Sequence, residues 1–291
     1  MTKPILYSKI VAGTMTWGSW GNGLSTAEMI TLMQEAISCG ITTFDHADIY
    51  GSYTTEGDFG AALTQSNIPR ENIQLITKCG IQMVSENRST KIKHYDYSKA
   101  HITWSVHQSL KELQTDYIDL LLLHRPSPLL DVREVADTIL ALQDAGKIKE
   151  FGVSNFTPLQ VALLQQEIPV RVNQIECSLL HTDMMYNGTL DAAQQYGQVA
   201  MAWSPLGGFF GKETEKTKRI STVLKGLQVK YDADESQLLL AWLMQHPSGI
   251  RPVVGTTKAQ RLNEAVAATK IILEVADWFT LLKASLGHDV P

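Results

Sequence analysis

The sequence predicts a single (β/α)₈ barrel over residues 1–291, with its active site at the C-terminal ends of the strands. Three observations lead there. Eight short strand-like runs are spread along the 291 residues, a segment of helical period follows each, and several of the runs are apolar on both faces.

The runs are Ile10–Met15, Thr42–Ala47, Ile73–Lys78, Ile118–His124, Phe151–Ser154, Val172–Glu176, Val199–Ser204 and Pro252–Gly255. Ile118-Asp119-Leu120-Leu121-Leu122-Leu123 is almost continuously apolar, as a strand covered on both sides requires. Helix starts punctuate the intervals. Ser25-Thr26-Ala27-Glu28 is a capping-box pattern, followed by Met29, Ile30, Met33, Ala36 and Ile37 on one helical face. Thr157-Pro158-Leu159-Gln160 sets a cap, a first-turn proline and a third-position glutamine in register. Asp131-Val132-Arg133-Glu134 and Thr257-Lys258-Ala259-Gln260 repeat the signal. An open doubly wound sheet would need a glycine fingerprint after its first strand, and Ile10-Val11-Ala12-Gly13-Thr14-Met15 has none.

A net charge of -5 gives no general attraction to nucleic acid or to an anionic membrane, so any anion site must be local. Cys39, Cys79 and Cys177 are too few and too widely spaced for a disulfide framework or a zinc site, and read as buried free thiols. Met1 to Ile10 holds no apolar leader-like core and no long apolar span follows, which predicts a cytoplasmic protein. A monomer or weak homo-oligomer is expected, with no metal.

In such a barrel, a polar residue that closes an apolar strand merits scrutiny. The strand ends supply Asp45 with Tyr50, Lys78, His124, Ser154-Asn155, Gln174 with Glu176, and Trp203-Ser204. Four of these suit proton donation to a carbonyl oxygen. A free tyrosine titrates near ~10, too high for an efficient acid at neutral pH, and a neighbouring ammonium lowers that value. Lys78 is expected to do so for Tyr50, with Asp45 keeping the lysine charged. His124 would orient the substrate oxygen. His46 is read as a hydrogen-bonding residue, Asp48 as a turn support, and His94, His101 and His107 as solvated or structural.

Thr43-Phe44-Asp45-His46-Ala47-Asp48-Ile49-Tyr50-Gly51 resembles the first signature of the aldo-keto reductases. Thr77-Lys78, Leu123-His124-Arg125-Pro126, Gly152-Val153-Ser154-Asn155-Phe156 and Asn173-Gln174-Ile175-Glu176-Cys177 match that family's later landmarks in order. The resemblance runs from Gly13 to Glu264. Lys78-Cys79-Gly80-Ile81 and the tail Leu286-Gly287-His288-Asp289-Val290-Pro291 are similar to the YdhF-type branch of bacterial oxidoreductases. The resemblance implies an NADPH-dependent enzyme reducing a small-molecule aldehyde or ketone, with Tyr50 as general acid. It implies cofactor contacts from Gly13, Thr14, Met15 and Asp45. Ser154, Asn155 and Gln174 would hold the nicotinamide carboxamide, with Trp203 under the ring. Ser204, Leu206 and Gly208 would follow the pyrophosphate. Thr256, Thr257, Lys258 and Arg261 would hold the 2′-phosphate, with Glu264 nearby. The family often places Asn after that glutamate to contact adenine, and here the residue is Ala265.

The residues alone leave rival readings. Lys78 on the same barrel suits a Schiff-base aldolase. A cofactor-binding barrel with little turnover would keep the same pocket. A metal-dependent hydrolase would want histidines on the first strand, and Ile10–Trp17 has none. The substrate pocket is expected to be walled by Trp17, Trp20, Tyr53 and the Ile81–Tyr97 loop.

Overall fold

In this computed structural model, residues 6–290 are described. The first residues of the Met1–Ile10 segment and the final proline of the C-terminal tail lie outside them. The strands are β1 (Val11–Gly13), β2 (Thr43–Asp45), β3 (Gln74–Cys79), β4 (Ile81–Gln82), β5 (His94–Tyr95), β6 (Ile118–Leu123), β7 (Ile148–Ser154), β8 (Val172–Glu176), β9 (Val199–Trp203) and β10 (Arg251–Val254). The helices are α1 (Thr26–Ser38), α2 (Thr55–Gln65), α3 (Lys99–Glu112), α4 (Val132–Asp144), α5 (Pro158–Gln165), α6 (Thr189–Tyr196), α7 (Glu215–Tyr231), α8 (Glu235–Met244), α9 (Ala259–Ala268) and α10 (Val275–Leu286).

Eight strands close on themselves in the order β1-β10-β9-β8-β7-β6-β3-β2, all parallel, while β4 and β5 pair separately as an antiparallel hairpin. Each expected strand run falls on a barrel strand. The hairpin was not foreseen, because two-residue strands leave no periodicity to read.

The continuous apolar run of β6 is explained by two cores. Leu120 and Leu122 face Ile76, Val172 and Met201 inside the barrel. Leu121 and Leu123 join Ile102, Val106, Val135 and Ile139 under the helices. Burying each such side chain contributes about 1.5–3 kcal/mol. Asp119 interrupts the run yet stays buried, because it accepts from Arg70 (2.7 Å), Lys149 (3.0 Å) and the Leu75 amide (2.9 Å).

Both expected capping boxes, Ser25 with Glu28 and Thr157 with Gln160, are formed. Asp131 accepts from the Arg133 and Glu134 amides. The fourth signal fails. The cap position of α9 is Lys258, with no side-chain cap bond. Thr256 explains it: its hydroxyl takes the Lys258 amide at 3.2 Å, a local turn that starts the helix one residue late. Thr257 is left to accept from Asn22 at 2.6 Å.

Between β3 and β4 the chain turns at Gly80, whose φ of +106° favours glycine. The ring of Tyr97 lies against this glycine, and a Cβ there would overlap it. Among the described residues no helix is long and apolar enough to cross a membrane. Cys79 and Cys177 are buried, but Cys39 is only partly so, since it caps the C-terminal end of α1 at the barrel's edge.

Candidate active site

Four polar side chains converge at the C-terminal rim. Asp45 ends β2, Lys78 stands near the end of β3, His124 follows β6, and Tyr50 opens a short 3₁₀ turn after β2. That turn is tight: Gly51, Ser52 and Tyr53 all take left-handed φ values of 59°, 57° and 74°. Lys78 Nζ donates to both Asp45 oxygens at 2.8 Å, to the His46 carbonyl at 2.6 Å and to the Tyr50 hydroxyl at 3.2 Å. Gln174 adds a third donor to Asp45 at 2.8 Å. The His124 and Tyr50 rings meet edge to face at 6.2 Å.

Burial pulls the Lys78 ammonium toward neutrality, but the Asp45 carboxylate and Tyr50 outweigh it, so its titration lies above the ordinary lysine value. A Schiff-base lysine needs the opposite, a neutral amine free to attack. Lys78 is fully engaged and charged. Tyr50 departs from expectation: burial raises its phenol, Lys78 lowers it, Asp45 raises it again, and the sum lies above the usual tyrosine value. Asp45 cancels much of the ammonium's field at the phenol. His124 is held well below the ordinary histidine value by burial first, then by Lys78, Arg125 and Lys93, so its ring is neutral. Its Nδ1 is buried without a hydrogen-bond partner among the described residues.

A cavity of about 980 Å³ opens over these groups and runs toward α8 and α9. Gly207, Gly208 and Gly255 border it, giving a ligand close access to backbone. Its size and elongated lining fit a dinucleotide together with a small substrate.

The aldo/keto reductase family model matches residues 9–284. The chain belongs to the aldo/keto reductase family. It is 39% identical to the oxidoreductase YdhF of Escherichia coli, over 98% of this chain and 96% of that protein. It is 37% identical to a 6-dehydroglucose reductase of Agrobacterium fabrum, over 100% of both. The crystal structure of the thermostable aldo-keto reductase Tm1743, in complex with the inhibitor epalrestat, superposes with a TM-score of 0.81 at 26% identity, covering 95% of this chain and 94% of that one. The protein is thus an NAD(P)H-dependent oxidoreductase acting on carbonyl compounds, and the resemblance to the YdhF-type branch holds over the whole barrel.

Within this reductase the expected cofactor residues divide. Gly13, Met15, Asp45, Gln174, Trp203, Ser204, Leu206, Gly208, Thr256, Arg261 and Glu264 line the cavity. Thr14, Ser154, Asn155, Thr257 and Lys258 do not. Thr14 is turned toward β2, its hydroxyl on the Asp45 carbonyl (3.0 Å) and the His46 ring (2.9 Å). Ser154 accepts from Arg125, and Asn155, at φ 57°, accepts from Trp203 Nε1 at 3.1 Å.

Two other expectations need correction. Trp17 is fully buried against Phe44 and Phe59, because its indole finds an acceptor inside, the Thr256 carbonyl. Tyr53 instead braces the hairpin, accepting from the Met83 amide at 2.9 Å under the Arg88 guanidinium. Trp20 does line the cavity. Asp48 stands in the turn after β2, as expected, and ties that turn to α3 by accepting from Ser105 at 3.0 Å. His46 hydrogen-bonds Thr14 as expected, while burial holds it neutral, down to about 3. Sequence reasoning missed Arg125 and the Asp234-Glu235-Ser236 turn opening α8, all of which line the cavity. Arg125 stood inside a quoted motif, and its place next to His124 was the available signal. Among the described residues no group of three or more His, Cys, Asp and Glu gathers as for a metal.

Proposed function

We propose that the protein reduces an aldehyde or ketone to an alcohol with NADPH, Tyr50 giving the proton to the carbonyl oxygen. The observation that carries this reading is the hydrogen-bond chain Asp45–Lys78–Tyr50 at the cavity wall. When bound, the nicotinamide supplies a hydride to the carbonyl carbon. The chain's own groups do the rest. The Tyr50 phenol is protonated across the neutral range and faces the cavity beside neutral His124, so both can hydrogen-bond one carbonyl oxygen. As the proton leaves, the phenolate is stabilised by the ammonium already 3.2 Å away. Asp45 keeps that ammonium charged and in place. Trp203 offers a flat face for the nicotinamide, and Gln174 an amide whose oxygen takes no donor from the described residues.

Tyr50→Phe keeps ring and packing while removing the proton. Turnover with NADPH should fall by ~10²-fold or more, with cofactor affinity nearly unchanged. Normal turnover in that variant would eliminate the mechanism.

For NADPH over NADH, the support is the cationic Arg261 on the cavity wall in the first turn of α9. Arg261→Ala should weaken NADPH about 10-fold or more and NADH hardly at all, the loss expected for one charged phosphate contact. Lys258→Ala should do less, since Lys258 does not line the cavity. Equal weakening of both cofactors by Arg261→Ala would show that this segment does not read the 2′-phosphate.

A further inference from the structure

The catalytic end of the cavity carries two cations with no acid paired to either among the described residues. Arg125 follows His124 directly, and its guanidinium lies 5.5 Å from the centre of the Trp203 ring. Nη1 donates to the His124 carbonyl at 2.8 Å and to the Ser154 hydroxyl at 3.1 Å. Both acceptors are neutral. Nε and Nη2 donate to no protein atom among the described residues, so one edge of the fork is free. Lys93, just before β5, lines the same cavity and makes no salt bridge among the described residues.

The acids nearby are committed or stand elsewhere. Asp45 is taken by Lys78 and Gln174. Asp234, Glu235 and Glu264 belong to the α8 and α9 side of the cavity, with Arg261. Arg125 is also fixed by its backbone: the Tyr97 hydroxyl donates to its carbonyl at 2.5 Å and accepts its amide at 3.0 Å. In a protein of net charge -5, two uncompensated cations beside the catalytic histidine form a local anion site. The depressed titration of His124, to which both contribute after burial and Lys78, agrees with their closeness.

We propose that Arg125, assisted by Lys93, binds a carboxylate carried by the carbonyl substrate, making the preferred substrates oxo acids. The inference rests on the carbonyl-reductase reading above. The guanidinium edge formed by Nε and Nη2 presents parallel N–H donors to a planar carboxylate, a match that an ammonium cannot give. With the carboxylate held there, the carbonyl oxygen lies toward His124 and Tyr50, and Lys93 adds charge from the hairpin side.

The test compares 4-oxobutanoate with butanal and glyceraldehyde on the enzyme with NADPH. The oxo acid should show kcat/KM at least ~10-fold above both, carried by KM and weakened by salt. Arg125→Gln should collapse that ratio, and Lys93→Gln, on an exposed loop, should lower it by about 3-fold. Equal use of the three substrates, a preference for glyceraldehyde, or a ratio surviving both variants would overturn the inference while leaving the reductase reading intact. A second measurement separates the two readings: calorimetric binding of butanoate and butanamide to the protein with NADP⁺. Butanoate should bind at least ~10-fold tighter, and Arg125→Gln should erase the difference. Selective butanoate binding without turnover of any aldehyde would uphold the anion site and sink the reductase reading. Equal binding of the two would sink the anion site.

Discussion

Two sets of buried acids lie on either side of Lys78, and they are held in opposite ways. Asp45 receives an ammonium on both oxygens and an amide besides, all at 2.8 Å. Glu56 of α2 receives hydroxyls, from Thr77 and from Ser109 (2.9 Å), and Asp48 the Ser105 hydroxyl, with no ammonium hydrogen-bonded to either among the described residues. Hydroxyls stabilise a buried charge far less than an ammonium does. Burial therefore pushes Glu56 up to about 7, despite its two hydroxyl partners, and Asp48 up to about 8, with the Glu56 charge adding to the burial effect. The first set holds its carboxylate against an ammonium. The second gives up its protons only near neutrality and above, and serves the fold by tying α2 to β3 and α3, and the turn after β2 to α3.

Breaking the first set should have the largest effect. Lys78→Met leaves Asp45 buried without its counter-charge, so it should cost roughly 3–5 kcal/mol of stability and reduce turnover by ~10²-fold or more. Adding Asp45→Asn should recover part of the stability and none of the turnover. Chemical denaturation and steady-state rates on the two variants decide this. A single variant as stable as the parent would mean that the pair contributes no compensation.

The second set predicts a pH effect of definite sign. Raised carboxyl values mean that the folded state binds protons which the unfolded chain has released. Their contribution is present below the ordinary carboxylate range, near ~4, and is lost as pH rises through about 7 and about 8. Tm should therefore fall between pH 5 and pH 8.5, and Glu56→Gln should flatten that slope. An unchanged slope in the variant would place the titration elsewhere. The smallest effect is expected of Ser105→Ala, about 1 kcal/mol, because it removes one hydroxyl from a carboxyl that is already mostly protonated. The midpoint of the alkaline loss should move upward, since that hydroxyl lowers the Asp48 value.

The first set was legible in the sequence and the second was not. Asp45, Lys78 and His124 close apolar strands, so barrel geometry alone assigns them to one rim, and Tyr50 follows at a fixed interval. Glu56 looks like an ordinary first-turn acid of α2, and nothing local shows that its partners come from β3 and α3. Long-range pairing has no periodicity. The same limit explains Trp17, whose aromatic neighbours Phe44 and Phe59 lie on β2 and α2, and the α9 cap, which Thr256 displaced. Arg125 sat beside a recognised histidine, but that no acid pairs with it among the described residues is a fact of three dimensions.

The contact between Gly80 and Tyr97 has a consequence for engineering. Tyr97 rests on that glycine and grips the Arg125 backbone, so the two ends of the hairpin segment are pinned to the barrel independently of what lies between β4 and β5. The stretch from Met83 to Tyr95 can then be varied at Met83, Lys93 and Tyr95, which line the cavity, altering what enters the pocket while Tyr50, Lys78 and His124 keep their positions. Libraries confined to that stretch would retune selectivity on a fixed catalytic chassis, whereas a side chain added at Gly80 would dislodge Tyr97 and with it the seat of Arg125.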